Sequence, residues 1–173
     1  MEFSDVIKNR YSCKKFSSEQ IGKDKLDAIL EAGRVAPTAK NLQEQHIYVV
    51  QSESALETID KLTPCRYNAP TVLIVAYNKN NVFTYLGDKR NSGIEDATIV
   101  ATHLMLAAYN EGVDSCWINF FNPDELAKAF NLPEDEEILM LLDLGVADKT
   151  TTPLPNHNSR KALTAVSYTH LTL

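Results

Sequence analysis

Two stretches of this chain demand cover on both faces. Thr71-Val-Leu-Ile-Val-Ala-Tyr77 is a near-continuous apolar run rich in β-branched residues, and Glu137-Ile-Leu-Met-Leu-Leu-Asp-Leu144 is a second. Runs of this length and composition read as strands, and a strand without an alternating polar face belongs in the middle of a sheet. The chain must therefore supply layers above and below that sheet. Pro70 bounds the first run and Gly145 stops the second.

The remaining elements supply those layers. His46–Val50 and Asp114–Asn119 read as two more strands. Ser4 is placed to cap a short first helix to about Asn9, with Val6 and Ile7 inward. After Gly22, residues Leu26, Ile29, Leu30 and Gly33 follow helical spacing, with Gly33 allowing close packing and Pro37 ending the helix. Ser52 or Ser54 caps a third helix carrying Leu56, Ile59 and Leu62 inward. From Ile94 to Asn110 the pattern is helical and apolar around more than one face, which suits a buried helix or a subunit contact. Gly112 follows as a C-cap residue. Asn122-Pro-Asp-Glu125 is a helix start, with a cap residue, proline in the first turn and acids at the positive end of the dipole. Asn78 to Gly93 reads as a polar surface excursion. Four strands and five helices suit a layered α/β sandwich better than a Rossmann fold, and no GxGxxG occurs.

At 173 residues, 44% hydrophobic and 23% charged, the chain fits one globular domain, read as residues 1–165. A net charge of −6 argues against a nucleic-acid coat. No run reaches membrane-span length, and the acidic N-terminus does not read as a secretory leader. Three scattered cysteines without a CxxC pair suit reduced thiols in a cytoplasmic protein, and the four histidines show no metal-ligand spacing. Redox chemistry would therefore need a bound cofactor. Val166–Leu173 resembles one reading frame of a sequencing adapter, and residues 166–173 are set apart as a non-native tail.

Three polar stations remain. In extended chain, Arg10, Ser12 and Lys14 line one side while Lys15 points to the other. A guanidinium, a hydroxyl and an ammonium on one face suit a phosphate and a polyol, although a solvated basic loop has the same composition. The aperiodic loop with Thr38, Asn41 and Gln43 offers amides, which suit the donor and acceptor edges of a flat heterocycle. Arg160 and Lys161 add cations near the other end.

These motifs resemble those of the FMN-dependent nitroreductase family. Arg10-Tyr-Ser-Cys-Lys14 with Phe16 is similar to its opening signature, and Ala36-Pro-Thr-Ala-Lys-Asn-Leu-Gln43 to its second. Asp96–Leu106, Glu111-Gly112 and Trp117-Ile118 resemble its central helix and following strand, and Leu144-Gly145 and Arg160-Lys161 its end. The resemblance implies an α+β, three-layer sandwich with a mixed, largely antiparallel sheet, and an obligate homodimer with FMN at the interface. It implies that Arg10, Tyr11, Ser12 and Arg160 hold the phosphate and ribityl chain, with Lys161 a further cation and Lys14 beside the ribityl and the ring's N1–C2=O edge. Pro37, Thr38 and Ala39 would come from the partner subunit, with Asn41 and Gln43 at the ring edge and the backbone of Ile118 and Asn119 near its reactive nitrogen.

The implied activity is ping-pong NAD(P)H oxidation with transfer to nitroaromatics, quinones or similar conjugated acceptors. The catalytic groups belong to the flavin, with no metal. Rival readings are a flavin-sequestering protein, another flavin chemistry on the same scaffold, and a cofactor-free adaptor. The family's Gln-Pro-Trp stands here as Gln43-Glu44-Gln45. Cys13 reads as an apolar-facing spacer, Trp117 as a core residue, and His103 as a packed or interface histidine.

Overall fold

The computed structural model describes residues 1–87 and 89–167. Its helices are α1 (Phe3–Asn9), α2 (Lys23–Arg34), α3 (Glu53–Leu62), α4 (Gly93–Asn110) and α5 (Pro123–Ala129); its strands are β1 (Gln45–Val50), β2 (Thr71–Asn78), β3 (Asp114–Ile118) and β4 (Glu136–Gly145). The sheet order is β1-β2-β4-β3, so the two apolar runs are the two central strands. All three strand pairings are antiparallel, and among the described residues parallel pairing survives only as an isolated bridge between Ser12 and Ser115.

Side chains of β2 alternate between two cores, as the strand pleat requires. Val72, Ile74 and Ala76 pack with Ile59 of α3 and Leu126 of α5, while Leu73 and Val75 pack with Ile29 of α2 and with Val100 and Leu104 of α4. The result is a three-layer α+β sandwich. Gly33 is where α2 meets α4: a Cβ there would lie 2.7 Å from Leu104 Cδ2. That approach is what the glycine permits.

Several local expectations change. Glu2, not Ser4, is the N-cap of α1, and Ile7 is exposed while Val6 is buried. A helix this short presents one residue per turn to its neighbour. Helix α2 ends at Arg34, with Val35 as its C-cap, three residues before Pro37. Glu111 is the C-cap of α4, and Gly112 follows at φ +69, the left-handed position that favours glycine. Asn122 caps α5 as read, its side chain accepting from the amides of Asp124 and Glu125. The suspected tail, residues 166–173, lies outside the described residues from 168 onward.

Candidate functional site

The first station lies along the free edge of β3. Arg10 caps the C-terminus of α1. The chain then runs beside β3, with the Cys13 amide donating to Ser115 O at 2.9 Å. This places Cys13 inward and fully buried, a spacer thiol that burial pushes up to about 11. Ser12 and Arg10 stay half-buried, and no protein acceptor engages the Arg10 guanidinium among the described residues. Tyr11 is half-buried, its pKa raised to about 12 by burial and by Asp114.

Lys14 and Lys15 part company at a bend in the chain, which turns Lys14 to the same side as Cys13. Lys15 turns outward, pairing with Asp148 at 3.1 Å and donating to Thr150 Oγ1 at 3.0 Å, so it is a tethered surface residue rather than a freely solvated one. Lys14 turns inward. Its Nζ donates to the Tyr67 hydroxyl and to Cys116 Sγ, both at 3.3 Å, and stands 4.6 Å from the Tyr67 ring centroid. Burial works against the ammonium, but Cys116 and Tyr67 outweigh it and the Lys14 pKa is raised. Burial likewise raises the Cys116 thiol, which is protonated at neutral pH; the ammonium is thus held by a sulfur lone pair, a phenol oxygen and a π face.

Behind this pair lies Asp143, fully buried in β4 opposite Cys116, with neither carboxylate oxygen hydrogen-bonded among the described residues. Burial raises its pKa well above the carboxylate range, with Arg66 and Lys14 opposing. Tyr67, Cys116 and Asp143 were not singled out from sequence. A lone acid inside the apolar run Leu-Met-Leu-Leu-Asp-Leu was the available signal for Asp143; Tyr67 and Cys116 had none.

The C-terminal segment returns to the same edge. The Asp148 amide donates to Lys15 O, and the His157 ring meets Tyr11 edge-on at 6.4 Å between centroids. Arg160 follows, exposed, its Nη1 donating to the carbonyls of His157 and Ser159. Lys161 is exposed beside it. The first and third stations therefore share one edge of the sheet.

The second station does not. Its loop feeds β1, the opposite edge. The Ala39 amide donates to Asp96 Oδ1 at 2.9 Å, and the Gln43 amide to Thr38 Oγ1 at 3.0 Å. Lys40, Asn41 and Gln43 all hold positive φ, between 52° and 56°, a left-handed backbone that needs tertiary support. Pro37, Asn41 and Gln43 are exposed, and Thr38 and Ala39 half-buried. Ser12 lies in the strand row of Ser115, Leu144 and Thr71, whereas the loop enters at the row of Gln45 and Tyr77. Six residues of strand and four strand spacings separate the two stations, about 20 Å along and about 19 Å across. Ile118 is buried at the end of β3, and exposed Asn119 accepts the Trp117 indole N–H at 2.8 Å. Trp117 itself is half-buried and packs on the α2/α4 core.

Among the described residues no helix is long and apolar enough to cross a membrane, and no group of three or more His, Cys, Asp or Glu side chains could hold a metal ion. An apolar surface lies open beside α1, where Phe3 is 67% exposed and Ile7 49%. Phe3, Val6, Ala32, Leu106 and Ala107 line a groove between α1, α2 and α4 with His103, whose Nδ1 donates to Ile99 O at 2.8 Å.

This is an α+β sandwich whose cations gather at one sheet edge and whose amide loop sits at the diagonal corner. The nitroreductase family profile matches residues 7–66 and 63–146, and the chain belongs to that family. The structure of a nitroreductase family protein from Clostridium difficile 630 superposes with a TM-score of 0.91 at 32% identity, over 99% of this chain and 100% of that one. An FMN-dependent nitroreductase from C. difficile R20291 shares the fold at a TM-score of 0.80 and 23% identity, over 97% of this chain and 99% of that one. YodC of Bacillus subtilis strain 168, provisionally named an NAD(P)H nitroreductase, is 28% identical over 91% of this chain and 93% of its own length.

Proposed function

We propose that residues 1–165 form an FMN-dependent NAD(P)H oxidoreductase that reduces flat conjugated acceptors such as nitroaromatics or quinones, as a cytoplasmic homodimer. The observation that carries this reading is the uncommitted Arg10 guanidinium beside Ser12 and an inward-held Lys14, in a chain of this family. The residues fit the cofactor's chemistry. Arg10, Tyr11, Ser12, Arg160 and Lys161 would hold the phosphate and ribityl chain, the charge-assisted bonds being the strong ones. Lys14 would keep a positive charge beside the ring edge, where negative charge would develop on reduction. The backbone of Ile118 and Asn119 lies at the open end of β3. Pro37, Thr38, Ala39, Asn41 and Gln43 sit too far from these residues to serve the same site within one copy, and the uncovered α1/α4 face offers the surface on which a second copy would bring them in.

When bound, the flavin supplies two-electron transfer, taking hydride from NAD(P)H and passing electrons to the acceptor. Alternation of both at one open face makes the kinetics ping-pong. The test is the visible spectrum of the purified protein, with identification of the released chromophore. Yellow protein that releases FMN and oxidises NADH or NADPH is the expected result. FAD release, or colourless protein after reconstitution with FMN, refutes the reading. Flavin without NAD(P)H oxidation would assign a sequestering role instead.

A further inference from the structure

Glu44 occupies the position where the sequence departs from Gln-Pro-Trp, and it is only 1% exposed. Burying a carboxyl is costly unless it finds a hydrogen bond or gives up its charge. Neither Glu44 oxygen has an ordinary donor among the described residues. Its one side-chain partner is Asp96, another buried acid, in the first turn of α4. Asp96 Oδ1 takes the Ala39 amide, and its Oδ2 is also without an ordinary donor. Two buried carboxyls side by side cannot both ionise cheaply, and two carboxylates have no hydrogen to place between them.

We infer that Glu44 and Asp96 share one proton, and that this hydrogen bond latches the 38–43 loop to the first turn of α4. Glu44 is a positioning residue: it acts through the loop that carries Thr38, Ala39, Asn41 and Gln43. The proton resides on Glu44, because Asp96 already accepts an amide hydrogen bond and lies at the positive end of a helix dipole. Burial first and Asp96 second push the Glu44 carboxyl up to about 7.

The surrounding charges leave this pair alone. Lys40 places its ammonium 4.7 Å from the Phe83 ring centroid, Glu95 is engaged by the Tyr85 hydroxyl, Tyr77 by Glu137, and His46 by Glu136. Lys79 is exposed, and Asp135 takes the Asn78 amide side chain. Among the described residues, Asp96 is the sole charged group that bears on Glu44. The latch also explains how three left-handed residues within four positions, Lys40, Asn41 and Gln43, persist without the proline that would stiffen the turn, since such backbone needs its surroundings to hold it.

The consequence for binding rests on the FMN reading above; the latch itself does not. Melting and hydrogen exchange of the cofactor-stripped protein across about pH 5 to 9 test the latch, using wild type, Glu44→Gln and Asp96→Asn. Glu44→Gln keeps a donor to Asp96 at every pH, and Asp96→Asn supplies one from the other side. A raised carboxyl pKa contributes stability at low pH that is lost as pH rises from the unfolded-state value through about 7. The melting temperature of Glu44→Gln should therefore gain on wild type across that window and hold its lead above it. Protection of the Ala39 amide, corrected for intrinsic exchange, should fall with pH in wild type and stay level in both variants. FMN affinity of wild type should weaken by roughly tenfold between about pH 6 and 8.5 relative to Glu44→Gln.

Pairwise differences that stay flat with pH in melting and in protection overturn the latch. If FMN fails to bind any form while both pH trends appear, the latch is upheld and the cofactor reading falls. If one variant does not fold, the other carries the same test.

Discussion

Replacing Gly93 by alanine tests how tightly the first turn of α4 is seated. Gly93 is the first residue of that helix, and a Cβ built there would lie 2.3 Å from Tyr77 Cε2, 2.7 Å from Cδ2 and 2.9 Å from Cζ. Carbon atoms in favourable contact sit about 3.5–4.0 Å apart, so ring and helix must separate by about 1.2 Å or more. The ring has little room to yield. Tyr77 is 3% exposed, paired on both sides within β2, and its hydroxyl is engaged by Glu137.

Overpacking of this kind costs about 1–3 kcal/mol. For a chain of this size each kcal/mol shifts the melting temperature by about 2–4 °C, so Gly93→Ala should melt roughly 2–12 °C below wild type. The displaced turn carries Asp96, so the Ala39 amide should lose protection as well. Differential scanning calorimetry and hydrogen exchange make both measurements. A double-mutant cycle with Tyr77→Leu, which removes the ring, should recover part of the loss as a coupling of at least about 0.5 kcal/mol. A Gly93→Ala protein that melts within about 1 °C of wild type, with no coupling to Tyr77, would refute the packing argument.

Arg10→Ala should weaken FMN binding by about 10- to 150-fold, the equivalent of one charge-assisted bond of about 1.5–3 kcal/mol. Lys15→Ala should cost at most about 1 kcal/mol of stability through its Asp148 pair and leave FMN affinity nearly unchanged; equal losses at matched salt would reduce the cluster to a diffuse patch. Lys14→Ala should lower the flavin reduction potential in spectroelectrochemistry, because it removes the positive charge beside the reduced ring, and an unchanged or higher potential would move Lys14 away from the ring. Gly22→Ser should stabilise the protein by about 0.5–1 kcal/mol in denaturant melts, since the N-cap of α2 has extended backbone, no side-chain cap and open space around its Cα.

What the sequence determined by itself was the order and kind of the elements. The apolar runs of β2 and β4 had to be central because no face of either could meet water, and the structure puts them there. Periodicity placed α2, α3 and α4, and Asn122-Pro123 placed the start of α5, because those signals act within a few residues of the element they specify. The first and second stations were legible as motifs for the same reason. Helix ends were less so: α1 begins at Phe3 without a side-chain cap, since its position is set by packing against α4.

Tertiary structure decided everything that depends on distance in space. Lys14 faces Tyr67, 53 positions away, and Cys116, 102 positions away, and no local pattern encodes such pairs. That the C-terminal cations share an edge with Arg10 while the amide loop lies at the opposite corner follows from strand order, which the alternation of helices and strands leaves open. Glu44 is the sharpest case. In sequence it is one acid in the polar stretch Gln43-Glu44-Gln45, with no sign of burial; folded, it is shut against Asp96, 52 positions along the chain. Charge is written in the sequence, but the dielectric around it and the neighbour that shares its proton exist only once the chain has closed over them.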